Sequence, residues 1–384
     1  MNIGEDVKNI IKAVHACGDT AISKFTLKFD RIKINPKEFK VSEREIKESL
    51  KKIDSRLYSA LKRAKQNIES FQKNILPKQT VISGNGVKIK NVFLPVESAG
   101  IYVPGGRFPY PSTVLMTSIP ALVAGVKKVV MVTPPKNLTA PVLAAAHLCG
   151  ITEIYRIGGV QAIAALACGT RTIPKVDIIV GPGNKYVAEA KRQLFGEVGI
   201  DMIAGPSEIL IMADTSANPE FVVSDLMAQC EHDSDAGAVL LSFSRKLSEY
   251  CIKNTLSVRK QIKILDVKSI DEAIHIANRF APEHLEIMMK NAHNIVLKIK
   301  NAGAVFLGNY TPVAIGDYYA GPSHVLPTGG SAKFSSGLSV YSFLKKVSII
   351  EYTKASLRKI SSDVINIANT EGLVKHAESL KRRI

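Results

Sequence analysis

From about residue 100 the chain alternates short, nearly all-apolar runs with longer segments that read as helices. The apolar runs "AGIYVPGG", "KKVVMVTPP", "TEIYRIGG" and "VDIIVGPGN" each lead into a glycine or proline turn. Between and after them come "PSTVLMTSIPALVAGV", "APVLAAAHLCG", "VQAIAALACG" and "KYVAEAKRQLFG". Apolar strands alternating with helices predict a parallel sheet covered on both faces. The pattern resumes with "IDMIAGPSEILIMAD", where Pro206 interrupts the strand. "NPEFVVSDLMAQCEH" predicts a helix with Asn218 as N-cap and Pro219 at the first helical position. "GAVLLSFS" predicts a strand, and "SIDEAIHIANRFAPEHLEIMM" a helix that starts at a Ser269–Glu272 capping box and ends at Ala281-Pro282.

The flanks differ. Residues up to about Gln79 read as helices with charged faces, one opened by a second capping box, Ser42 with Glu45. Short strand-like pieces around a Gly-Asn-Gly turn follow, to about residue 95. A loop-rich stretch, "GNYTPVAIGDYYAGPSHVLPTGGSAKFSSG", precedes a tail that reads as a strand and a basic helix. The expected fold class is α/β: two incomplete Rossmann-like parallel-sheet domains with small N- and C-terminal helical extensions. Residues 1–99 and 209–330 are expected to form one discontinuous α/β domain that includes the N-terminal helices. Residues 100–208 are expected to form the second, and 331–384 a C-terminal extension.

At 384 residues there is enough chain for two domains or more, each with a buried core. The longest apolar stretch, Val114 to Val132, is broken by Pro120, Lys127 and Lys128, so no membrane span is expected. "MNIGEDVKNIIK" lacks the form of a secretory signal, and the expectation is a cytoplasmic protein. The five cysteines are scattered with no CxxC pair, against a disulfide framework or zinc ribbon. A net charge of +17 raises the question of nucleic acid. The lysines are spread along the chain, Trp is absent and no basic–aromatic RNA motif occurs, so no nucleic-acid partner is expected.

Three glycine turns, Gly105–Gly106, Gly158–Gly159 and Gly181-Pro182-Gly183, fall at carboxyl ends of predicted strands, where open α/β sheets bind ligands. None fits GxGxxG. Asp225, Gln229 and His232 share one helix face at i, i+4 and i+7. Glu283 and His284 follow a proline break and suit proton transfer near neutral pH. The long loop carries Asp317, Tyr318, Tyr319, Ser323 and His324, and a terminal helix carries His376 with Glu371 five residues earlier. Each group alone also reads as ordinary structure: a polar helix end, a satisfied loop histidine, an exposed helix histidine. Together they could build a mixed nitrogen–oxygen site for zinc or manganese. The pattern leaves their convergence open.

Nine segments in order, "YVPGG", "YPSTVLM", "IGGVQAIAALACGT", "VGPGNKYVAEAKRQ", "AGPSE", "QCEHD", "APEHLE", "GDYYAGPSHVLPTGGSAKFSSGLSV" and "EGLVKHAESL", resemble the histidinol dehydrogenase family. The resemblance implies oxidation of L-histidinol through a bound aldehyde to L-histidine with two NAD+. It implies one Zn2+ per active site, on Gln229, His232, Asp317 and His376. It implies Glu283 and His284 as the catalytic pair, and Ser207, His324 and Glu371 as further substrate contacts, with His284 and the four metal ligands also facing substrate. Tyr102, Gln161 and Asn184 match the family's NAD positions, which makes 100–208 the NAD side. It also implies a homodimer in which the C-terminal segment crosses to the partner subunit. The N-terminal arm is shorter than usual by a few tens of residues, and Cys230, Ser234 and Ser342 depart from the common residues, none at an implied ligand. Two rival readings remain: a related dehydrogenase for another polar alcohol, and a non-catalytic basic anion- or RNA-binding relative. Retention of Ser207, His324, Glu371 and His376 speaks for histidinol.

Overall fold

The computed structural model describes residues 2–384 apart from 106, 107 and 232. Its strands, numbered along the chain, begin with β1 (Thr80–Gly84), β2 (Val87–Pro95), β3 (Ser98–Tyr102), β4 (Lys128–Val132), β5 (Glu153–Tyr155), β6 (Ile178–Val180) and β7 (Gly199–Ile200). They continue with β8 (Glu208–Ala213), β9 (Gly237–Ser242), β10 (Ile262–Asp266), β11 (His284–Met288), β12 (Ala304–Leu307) and β13 (Leu344–Tyr352). The chain divides into two compact units, one of Met1–Ile75 with Val96–Phe343, the other of Leu76–Pro95 with Leu344–Ile384.

The larger unit holds two five-stranded sheets, each parallel throughout, as the apolar runs predict. In the first, the order β5-β4-β3-β6-β7 means that the chain builds outward from β3 on one side and then returns to start β6 on the other. One face packs against helices Gly159–Cys168 and Lys185–Leu194 through Ile163, Ala164, Val187 and Ala190. Ala162, Ala164, Ala165 and Ala167 of Gly159–Cys168 are buried in this core, and the N-terminal helix Ile3–Asp30 lays Val7, Ile10, Val14 and Ile22 into it as well. Helices Pro111–Ala124 and Ala140–Leu148 belong to the same sheet, with Glu43–Leu50 and Ser55–Asn74 packed on them. The N-terminal helices therefore lie with the first sheet, whereas the sequence grouping set them with 209–330. An amphipathic face shows that a helix is buried but not against what.

The second sheet has the order β10-β9-β8-β11-β12. Its strands are covered on both sides, and alternate residues serve opposite cores. Ile209, Ile211 and Met288 face Leu226 and Val222 of helix Pro219–Cys230, whereas Leu210, Met212, Leu285 and Ile287 face Ala273 and Ile274 of helix Ile270–Phe280.

The smaller unit is an antiparallel sheet, β1-β2-β13, followed by helices Lys354–Thr370 and Val374–Lys381. Asn85 and Gly86 both have positive φ (51° and 75°), the backbone of a two-residue hairpin turn. The tail was expected to hold a strand and one helix. It holds two helices, separated near Gly372 (φ 75°). Among the described residues, no helix is long and apolar enough to cross a membrane.

Candidate active site

The catalytic candidates gather at the amino ends of β8 and β11, the neighbouring strands where the second sheet changes direction. Helix Ile270–Phe280 ends on Ala281 in the left-handed region (φ 54°), and Pro282 and Glu283 lead directly into β11 at His284. Glu283 and His284 are both buried. The Glu208 amide donates to Glu283 Oε2 at 3.0 Å, and the Ser207 side chain hydrogen-bonds the same carboxyl. Burial pushes the Glu283 acid up to about 8 despite these bonds, with Asp317 and Glu208 adding repulsion.

The His284 ring lies between two carboxyl groups. Nδ1 is 3.8 Å from Glu283 Oε2, and Nε2 is 3.8 Å from Asp317 Oδ1. Asp317 comes from a short helix, Val313–Tyr318, inside the stretch read from sequence as loop. Gly316 lets that helix lie on the Phe306 ring: a Cβ there would sit 2.7 Å from a ring carbon. Burial pushes the Asp317 acid up to about 7. His324 Nδ1 is 2.9 Å from the Asp317 carbonyl oxygen. A carbonyl only accepts, so Nδ1 carries the proton, and in the neutral ring Nε2 accepts from the Thr113 hydroxyl at 3.2 Å. Thr113 belongs to helix Pro111–Ala124, so this bond ties the site to the first sheet.

Gln229 occupies the last turn of helix Pro219–Cys230, buried, and its Nε2 has no hydrogen-bond partner among the described residues. The residues fit a cation through their oxygens: the Gln229 amide, whose nitrogen has no partner to fix its orientation, and the buried Asp317 carboxyl. The amide oxygen could ligate, and the positive charge would return Asp317 to its anion. His232 lies outside the described residues. Glu371 and His376 belong to the smaller unit, where both are exposed. Among the described residues no three His, Cys, Asp or Glu side chains form a metal cluster. Of the four implied ligands, then, the larger unit presents Gln229 and Asp317.

The cofactor candidates lie at the carboxyl ends of the first sheet, around its own change of direction between β3 and β6. Tyr102 ends β3, buried, and its hydroxyl accepts from the Gly159 amide at 3.1 Å. Burial pushes the phenol up to about 12, so it stays neutral. Gln161 is buried in the first turn of the next helix, and its Oε1 has no partner among the described residues. Asn184 is exposed and caps helix Lys185–Leu194, accepting from Tyr186 and Val187 at 3.0 and 3.1 Å. The turn before it depends on Gly181 (φ 116°), where a Cβ would fall 2.1 Å from the Tyr102 carbonyl oxygen. Gly106, in another of the three turns, lies outside the described residues.

Sequence reasoning passed over Glu208, Thr113 and Glu286. The last stands two residues after His284 on the same face of a buried strand, a charged residue where period two predicts an apolar one.

The histidinol dehydrogenase family model matches residues 1–384. A histidinol dehydrogenase from Thermosynechococcus vestitus is 46% identical over 399 residues, 98% of this chain and 92% of the relative. Another, from Methanocaldococcus jannaschii, is 46% identical over 396 residues, 98% of this chain and 92% of the relative. The crystal structure of histidinol dehydrogenase from Elizabethkingia anophelis superposes with a TM-score of 0.95 at 36% identity, covering 100% of this chain and 92% of that one. An NAD-dependent aldehyde dehydrogenase from Sinorhizobium meliloti shares the fold alone, with a TM-score of 0.51, 14% identity and coverage of 91% of this chain and 87% of that one. A match over the whole chain, with relatives this similar along nearly all of it, makes the protein a member of the histidinol dehydrogenase family.

Proposed function

We propose that the protein oxidises L-histidinol to L-histidine in two NAD-linked steps, holding L-histidinal between them, at a site that takes one zinc ion. The observation that carries the reading is His284 set 3.8 Å from each of two buried carboxyl groups in a chain of this family. In the first step His284 takes the hydroxyl proton as hydride leaves the carbinol carbon for the nicotinamide ring. In the second, Glu283 takes a proton from the water that adds to the aldehyde, and the hydrate loses a second hydride. The sum is one alcohol, one water and two NAD+ giving a carboxylate, two NADH and three protons. A carboxyl pushed up to about 8 suits a base that must hold and release a proton near neutrality.

Zinc on Gln229, His232, Asp317 and His376 would orient the substrate's imidazole and amino group. His324, locked by Thr113 and the Asp317 carbonyl, would meet the reacting oxygen or carboxylate, and Ser207 and Glu371 would complete the substrate cavity. Tyr102, Gln161 and Asn184 would bind NAD on the side of residues 100–208, with 209–330 on the substrate side. We take the active species as a cytoplasmic homodimer whose C-terminal segment serves the other protomer's site. Exposed apolar residues on the smaller unit, among them Ile82, Ile349, Ile350 and Ile367, support that part of the reading.

The test compares L-histidinol with an amino alcohol that lacks the imidazole, using zinc-loaded protein and NAD+. NADH should form from histidinol, stop on chelation and return with zinc. Faster turnover of the other alcohol would replace the substrate assignment.

A further inference from the structure

The site has a buried support that the mechanism above does not use. Glu286, 1% exposed, shares its strand face with His284. Its Oε1 accepts from the Val313 amide at 3.0 Å, at the start of the helix that bears Asp317. Its Oε2 is buried with no other hydrogen-bond partner among the described residues, and the carboxyl it has within side-chain hydrogen-bonding reach is that of Asp225, one turn before Gln229 on helix Pro219–Cys230. Two carboxyl groups hydrogen-bond only with a proton between them, because two carboxylates offer no donor and repel. Burial raises both acids, and for Glu286 the Asp225 charge raises it further, which favours a proton on the pair.

We propose that Asp225 and Glu286 form a proton-sharing strut that holds three elements in register: the strand with His284, the helix with Gln229 and the helix with Asp317. The strut rests on the functional reading of those three residues given above. Neither carboxyl touches reacting atoms, so both are positioning residues. Register among these elements matters, since a displacement of about 1 Å can cost about 10²-fold in rate.

Glu286→Gln separates position from charge. Its amide oxygen can still accept from Val313, and its N–H can donate to Asp225 without a shared proton. Glu286→Leu removes both bonds. Wild type and both variants are compared by zinc competition with a chromophoric chelator, without substrate, and by kcat and KM with histidinol and NAD+. Glu286→Gln should stay within about threefold of wild type, while Glu286→Leu should bind zinc about 10- to 100-fold more weakly, the loss typical of an outer partner of a metal ligand. Its kcat should fall by at least about tenfold with KM for NAD+ unchanged, because the cofactor residues lie on the other sheet. If Glu286→Leu does not fold, Asp225→Val and Asp225→Asn give the same contrast from the less buried end. Wild-type values in the apolar variant would overturn the strut. So would a Gln or Asn variant as impaired as the apolar one, since charge rather than position would then be required. Wild-type protein that binds zinc but makes no NADH would defeat the functional reading, and the zinc comparison would still judge the strut.

Discussion

At the scale of single residues, burial decides the chemistry. Glu283 is held by the Glu208 amide and Ser207, yet burial outweighs those bonds and raises its acid to about 8. If Glu283 is the water-activating base proposed above, it must be deprotonated, so the second oxidation should speed up as pH rises, with its midpoint at or below about 8 because a bound cation can only lower it. Glu283→Gln should abolish that rise and slow the aldehyde step by about 10²- to 10⁴-fold, measured on added histidinal. The same raised acid has a stability consequence. The folded state binds this proton more tightly than the unfolded, so its contribution is complete below the ordinary carboxyl value of 4.5 and is lost as pH rises through about 8. Melting of metal-free protein between about pH 5 and pH 8.5 should therefore fall more steeply for wild type than for Glu283→Gln. Equal slopes would show that Glu283 is not the buried acid.

At the scale of elements, the turn proposed to meet NAD has its own clamp. Asp201 Oδ2 accepts from the Gly181 amide at 2.7 Å, and Lys191 Nζ donates to the Gly181 carbonyl at 2.8 Å. The two side chains pair with each other at 2.5 Å and are almost wholly buried, at 2% and 0% exposure. Removing one partner strands the other's charge, so Asp201→Ala should cost about 3–5 kcal/mol in denaturant unfolding. Gly181→Ala, with its Cβ driven against the Tyr102 carbonyl, should raise KM for NAD+ more than KM for histidinol. The turns around Gly158 and Gly181, the helix caps at Asn218 and Ser269 and the parallel sheets were legible in the sequence, because glycine, proline and caps act locally. The amino-end site of the second sheet was not, because the pairing of β8 with β11 joins residues far apart in the chain. Asp317 was read as loop because the helix that carries it is six residues long, too short to show a period. Glu286 was passed over because its partner, Asp225, stands 61 positions away by their numbers, 286 minus 225.

At the scale of the whole molecule, Glu283, His284, Asp317 and Gln229 belong to the larger unit, and Glu371 and His376 to the smaller. If the C-terminal segment serves the other protomer, Glu283→Ala and His376→Ala proteins should each be inactive and regain activity on subunit exchange. Random mixing makes half the dimers hybrid, each with one intact site of two, so about a quarter of wild-type activity is expected. No recovery in proven hybrids would place His376 in its own protomer's site. The net charge of +17 is spread along the chain and belongs to solubility and encounter rather than to the chemistry. The most direct test of the account is to give zinc-loaded protein excess NAD+ and a limiting, known amount of L-histidinol, then count the NADH. The account predicts two NADH per histidinol, with histidine as product. One NADH with free aldehyde would contradict it, because oxidation would then stop before the water-activating step assigned to Glu283.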